Sequence, residues 1–475
     1  MKIIKILFDI VGDILSEIIE AIFDFVKAII SRDRKIELNA RFLPASELLS
    51  SSNKGFCLTG RKSLTIEQST KNALIIGSTG NYKSSGVLIP SILKMRGNSS
   101  LVITDFSGEL LQKTSGALLE DGYEIQVLNY STPDLSEGYN PLLRVKSTSD
   151  IQKLSKMVVI NALGTGSKDP FWNMSAESLI SLIAKFVITH TPKDFHSLLT
   201  VYSIISTLGY APEKVDRLMV QSNDPVLLSE YKAFLSYGDK VLASVIATCR
   251  AALSIFATDP NVALTCSHDT IDFSAFRKQK QALFITTNTK DMRYYSLVTS
   301  LFLEQFFGET MSQFPGKNDL PVFFLIDEAS SLYFNSLQIT IANIRKYNAG
   351  ILQIYQSAAQ LVDLYGQSVA KAITENSYAR VYMSGQPIHV AQELETTLGK
   401  FEYLDEKEVR HTRSLMTASE IRETSDSLIL CGNNPAIKTS IIPYFKQSKL
   451  TKLSQLPPYH PINKLPFTTP PLLQF

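Results

Sequence analysis

A chain of 475 residues exceeds what one hydrophobic core organises, so at least two structural units are expected. With 47 Lys and Arg against 45 Asp and Glu, the formal net charge of +2 excludes a polybasic nucleic-acid coat and an acidic disordered tail, and any nucleic-acid contact must come from local patches. Cys57, Cys249, Cys266 and Cys431 lie far apart without CxxC or Cys/His ligand spacing, which excludes a structural zinc site and reads as buried thiols in a reducing compartment.

The first predicted element is a helix. Between Lys2 and Ile30, Asp9, Asp13, Glu17, Glu20, Asp24 and Lys27 recur at steps of three or four, drawing one polar stripe on an otherwise apolar cylinder. No uncharged run reaches the ~20 residues of a spanning helix, and no small-residue cleavage site follows. The segment, residues 1–35, is therefore expected to stay in the mature chain with its apolar face on a membrane interface or on another helix. After Arg32, Arg34 and Lys35, the Ser-rich stretch Ser46 to Asn53 reads as a linker.

Apolar runs then alternate with helical patterns. Ala73 to Gly77, Ser100 to Asp105 and Tyr123 to Asn129 read as strands, with a helix over Lys83 to Met95, and this βαβ rhythm implies a parallel sheet. From Ser147 amphipathic helices take over, as in Ser175 to Thr189, Pro212 to Ser222 and Lys240 to Phe256. Strand-like runs return at Ala282 to Thr287, Val322 to Glu328, Gly350 to Gln356, Ala379 to Gly385 and Ser427 to Gly432. The expected fold is α/β: a mainly parallel sheet built from residues 36–146 and 276–455, interrupted by an all-helical inserted domain over 147–275. Residues 456–475, with Pro457, Pro458, Pro461, Pro466, Pro470 and Pro471, read as an extended tail.

Two clusters carry chemistry. Gly77-Ser78-Thr79-Gly80-Asn81-Tyr82-Lys83-Ser84 follows a strand and opens a helix. A polyphosphate needs inward-pointing backbone N–H groups, a helix N-terminus, a lysine for the outer phosphates and a hydroxyl for a magnesium ion. Lys83 and Ser84 fit the last two roles. The pattern also requires glycine directly before the lysine, where this chain has Tyr82. A left-handed tyrosine there costs roughly 1–2 kcal/mol; its ring either fills phosphate space or turns outward over the nucleotide. The second cluster is Asp327-Glu328, at the end of the run Val322 to Ile326. There a buried strand delivers one carboxylate to a magnesium shell and another to an attacking water.

From Asn53 to Lys446 the chain resembles the TraG-like coupling ATPases of type IV secretion. The resemblance rests on Asn72 to Gly77 with the loop, Asp105-Phe106-Ser107-Gly108-Glu109, Gly138-Tyr139-Asn140-Pro141-Leu142, Asp169-Pro170-Phe171-Trp172, Leu325-Ile326-Asp327-Glu328, and Gln356 with Gln360-Leu361, in family order. It implies a RecA-like P-loop motor that binds ATP and Mg2+ and assembles as a homo-oligomeric ring, a hexamer, at the cytoplasmic face of the bacterial inner membrane. DNA with its relaxase, and components of the secretion channel, are the implied partners. The helical insertion corresponds to the family's all-alpha domain. In this resemblance Gly77 to Ser84 bind the nucleotide, Ser84 and Asp327 hold the metal, Glu328 positions water, Gln356 senses the γ-phosphate and Arg345 reaches a neighbouring subunit's nucleotide. Asp105 reads as a structural strand-end residue. Two other readings stay open here: a docking platform that has lost turnover through Tyr82, and a general P-loop DNA translocase.

Overall fold

The computed structural model describes residues 39–164 and 169–463, together with Pro471 and Leu473. The N-terminal helix expected over 1–35 lies outside the described residues. In chain order the strands are β1 (Ala73–Ile76), β2 (Ser100–Asp105), β3 (Glu124–Asn129), β4 (Gln281–Thr286), β5 (Val322–Ile326), β6 (Ala349–Tyr355), β7 (Ala379–Tyr382), β8 (Lys400–Leu404), β9 (Arg410–Ser414), β10 (Ser427–Cys431) and β11 (Ile437–Thr439).

Nine of these form one sheet in the order β11-β10-β7-β1-β6-β5-β2-β4-β3. The seven strands from β7 to β3 are parallel, and β10 and β11 close the β7 edge antiparallel. β1, β2, β4, β5 and β6 are buried along their whole length, the signature of parallel strands covered on both faces. Successive β5 residues show the two covers, because neighbouring side chains on a strand point to opposite faces. Phe323 meets Phe56 at 5.3 Å, whereas Phe324 packs edge-on to Phe306 and Phe307 at 5.3 and 4.8 Å.

The helical block runs from the helix Thr148–Leu163 to the helix Pro260–Thr265. Contacts divide the chain differently from the sequence-based boundaries. Among the described residues, one compact unit holds 43–386 and 423–463, helical block included; a second holds 387–422 together with residues 39–42. The block stays with the sheet because the joints between them are made of packed polar anchors. The Tyr139 N–H donates to the Thr265 carbonyl at 3.0 Å, and the Asn140 amide donates to the His196 carbonyl at 2.7 Å. The smaller unit carries the helix Ile388–Leu398 and the β8–β9 hairpin, an element the sequence reading did not contain. Among the described residues, Pro170–His190 and Asp239–Thr258 are long and apolar enough to cross a membrane by length and composition. They pack on each other within the block.

Two segments read as loose are packed. Ser50, in the expected linker, bridges Ser63, and neighbouring Leu49 is buried. The start of the Pro-rich tail lies on the helix Glu109–Glu120, where the Tyr459 N–H donates to Ser115 Oγ at 2.9 Å.

Candidate functional site

β1, β6 and β5 are neighbours, so the segments leaving their C-terminal ends meet at one edge, the place where parallel sheets bind ligands. β1 continues into Gly77, whose N–H still donates to the Tyr355 carbonyl at 3.1 Å. A Cβ at Gly77 would come within 2.7 Å of Met383 Sδ, so any side chain there would have to displace Met383. Gly80 has φ 91 and faces open space. Asn81 pins the loop from inside: its amide donates to Ser78 Oγ (2.9 Å) and to the Ser384 carbonyl (3.0 Å), and Ser384 Oγ donates back to its oxygen (3.1 Å). The sequence reading missed Ser384, which follows β7 by two residues and carries no local signal beyond its place at a strand end.

Tyr82 is left-handed, φ 58 and ψ 29, as the position demands. Its ring stands outside the loop, 47% exposed and edge-on to Phe445 at 6.2 Å. Phosphate space is therefore not filled by the phenol. The helix then opens with a π-turn, Lys83–Leu88, before regular turns over Ile89–Met95. Pro90 has no N–H to return to the preceding turn, which favours the slipped pairing. The wider turn leaves Lys83 and Ser84 at the loop mouth.

Lys83 Nζ donates to the Ser78 carbonyl at 2.9 Å, spanning the loop. Burial pushes its pKa down, while Glu328 and Asp327 pull it back up. Ser84 Oγ lies 3.4 Å from Asp327 Oδ2. Asp327 is held by its own strand end, with Thr104 Oγ1 donating to its carbonyl (3.0 Å) and the Glu328 N–H donating to Oδ1 (3.0 Å). Burial, then the neighbouring Glu328, raise its pKa to about 7, with Asp105 adding and Lys83 opposing. Glu328 has the left-handed φ of 48, and both its carboxylate oxygens accept from Gln356 Nε2, at 3.3 and 3.0 Å. Asp105 is buried and accepts from the Leu111 N–H at 2.7 Å, holding the start of the next helix.

The structure thus brings together Gly77 to Ser84, Asp327, Glu328 and Gln356. It does not bring Arg345 to them within one chain. Arg345 is exposed in the turn Ile344–Tyr347, before β6, and so about 20 Å from Gln356 at the strand's far end.

A divalent cation fits this arrangement. Asp327 is a carboxylate whose surroundings supply too little positive charge, and a hydroxyl stands beside it; Mg2+ favours one or two such oxygens with the rest from water and phosphate. A polyphosphate fits the loop, where Gly77 and Gly80 leave the backbone uncovered and Lys83 reaches across.

A phosphate loop on one strand, an acidic pair two strands away and a glutamine on the strand between define a RecA-like P-loop core. The chain belongs to the type IV secretory system conjugative DNA transfer family, whose model matches residues 32–463. It is similar to the type IV secretion system-coupling protein VirD4 of Bartonella quintana (strain Toulouse), 20% identical over 339 residues that cover 69% of this chain and 52% of that protein. It thus spans about half the length of that relative. Among solved structures, the conjugative coupling protein TrwBdeltaN70 in complex with sulphate superposes with a TM-score of 0.71, at 18% identity, over 91% of this chain and 98% of that one. TrwB in complex with ADP and Mg2+ gives 0.66, at 18% identity, over 85% and 94%. Both share the fold described here.

Proposed function

We propose that this chain is the ATP-driven motor of a type IV secretion system, coupling nucleotide turnover to the passage of DNA with its relaxase into a conjugation channel. The observation that supports it most is the juxtaposition of Lys83 and Ser84 with Asp327, Glu328 and Gln356 at the ends of three adjacent strands. Family membership and the likeness to TrwB, whose structures include complexes with ADP and Mg2+, support the choice of ligand.

Each side chain then has a task. The loop from Gly77 to Ser84 wraps phosphates, and Lys83 exchanges its bond with the Ser78 carbonyl for the outer phosphate oxygens. Ser84 and Asp327 would hold Mg2+, which would supply charge neutralisation on the transferring phosphoryl group. Glu328, oriented by Gln356, accepts a proton from the attacking water, and Gln356 is placed to feel the γ-phosphate through that same bond. Residues 147–275 would face substrate or channel, and residues 1–35 would meet the inner membrane from the cytoplasm. The outward ring of Tyr82 removes the steric ground for lost turnover.

Calorimetry and steady-state hydrolysis test the site together. Glu328→Gln should bind MgATP as wild type does and lose hydrolysis, while Lys83→Ala should lose binding. Equal ATP affinity in wild type and Lys83→Ala, or unchanged hydrolysis in Glu328→Gln, would remove that residue from the mechanism.

A further inference from the structure

Two half-exposed rings flank the phosphate loop, and the chemistry above uses neither. Tyr82 is 47% exposed and Phe445 50%, and their planes meet at 69°. Both are held in place. Gly86, one helical turn after Tyr82, has no room for a Cβ, which would come within 2.5 Å of Ile441 Cγ2 and 3.3 Å of Tyr82 Cβ. That close approach seats the segment 441–445 on the first turn of the helix. Tyr444, buried and edge-on to Phe445 at 5.6 Å, supports the outer ring from beneath. Gln447 fixes the turn by donating to the carbonyls of Gly60 (2.9 Å) and Ile442 (3.2 Å).

We propose that the Tyr82 ring, braced edge-on by Phe445, forms a platform for the base of the nucleotide whose phosphates the loop holds. The proposal rests on the reading of residues 77–84 as a phosphate site. The Tyr82 ring stands outside the loop, clear of the phosphate space, and the part of the same ligand that an exposed ring can take is its flat π-system. The left-handed residue that spoils the glycine pattern is thus the residue that carries the base. A ring platform reads a π-face, which every base has, so adenine and guanine nucleotides are accepted alike.

The test is calorimetry on the full chain with MgATP, MgGTP and magnesium tripolyphosphate, which has phosphates and no base. Phe445→Ala should weaken ATP and GTP by about tenfold and leave tripolyphosphate unchanged, Tyr82→Ala should weaken both nucleotides about tenfold more than tripolyphosphate, and Tyr82→Trp should keep wild-type affinity for all three. Tyr82→Ala keeps a non-glycine residue at the left-handed position, so loop strain is held constant. Equal losses for ATP and tripolyphosphate, or no loss for ATP, would overturn the platform. So would a fall in sedimenting mass at unchanged ATP affinity, which would make the rings a contact between copies. A wild type that binds none of the three ligands would overturn the phosphate-site reading and this proposal with it.

Discussion

At Tyr82 the left-handed backbone costs roughly 1–2 kcal/mol, and the edge contact with Phe445 returns about 0.5–1.5 kcal/mol. Tyr82→Gly removes both, so its stability should lie within about 1 kcal/mol of wild type, whereas Tyr82→Ala keeps the strain, loses the contact and should be about 1 kcal/mol less stable. Urea unfolding of the two variants checks this; equal losses would show that the strain is not there. Glu304 offers a second residue-scale expectation. It is buried, its Oε1 accepts from the Ser336 N–H at 2.7 Å, its Oε2 has no partner, and burial raises its pKa. A carboxyl whose folded pKa is raised contributes stability that is fully present below its unfolded pKa and is lost as pH rises through the folded value. Glu304→Gln should therefore gain on wild type as pH rises above about 4, the ordinary glutamate range. A stability difference independent of pH would show that the carboxyl titrates normally.

Among the elements, the parallel strands were legible in the sequence because burial on both faces leaves unbroken apolar runs, as in Val322 to Ile326. The β8–β9 hairpin was not. Its strands, Lys400–Leu404 and Arg410–Ser414, are charged and largely exposed, so no alternation marks them. Motifs that the family resemblance supplied as strings gain physical content as joints. Asp169 caps the helix Pro170–His190 by accepting from the Phe171 N–H at 3.0 Å, and Asn140 ties the helical block to the sheet. The start of the tail, expected to be extended, packs on the helix Glu109–Glu120, and its anchor there is a glycine. A Cβ at Gly116 would sit 2.5 Å from the Pro457 carbonyl and 2.8 Å from that of Leu456. Gly116→Ala should lift residues 456–459 off the helix, cost about 1–3 kcal/mol and expose the C-terminal segment to limited proteolysis. Wild-type cleavage kinetics would contradict it.

For the molecule as a whole, the candidate site was legible where the chemistry is local, at Lys83, Ser84, Asp327, Glu328 and Gln356, and illegible where it depends on distant segments, as at Ser384 and Phe445. Arg345 belongs to this scale, since one chain leaves it a strand's length from the site. If it acts on a neighbour, as the ring implied by the family resemblance requires, mixing inactive Arg345→Ala with inactive Glu328→Gln should restore hydrolysis, because some interfaces would pair an intact arginine with an intact glutamate. A mixture as inert as its parts would confine Arg345 to its own chain or to none. The topology also sets a schedule for synthesis. Ala73 of the interior strand β1 pairs with Leu352 on one side and Ala379 on the other. At roughly 5–20 residues per second, a ribosome needs on the order of half a minute to deliver those partners. Throughout that interval a wholly apolar strand has both edges open in the nascent chain, so translation speed and chaperone supply, more than final stability, should govern how much of this protein a cell recovers in soluble form.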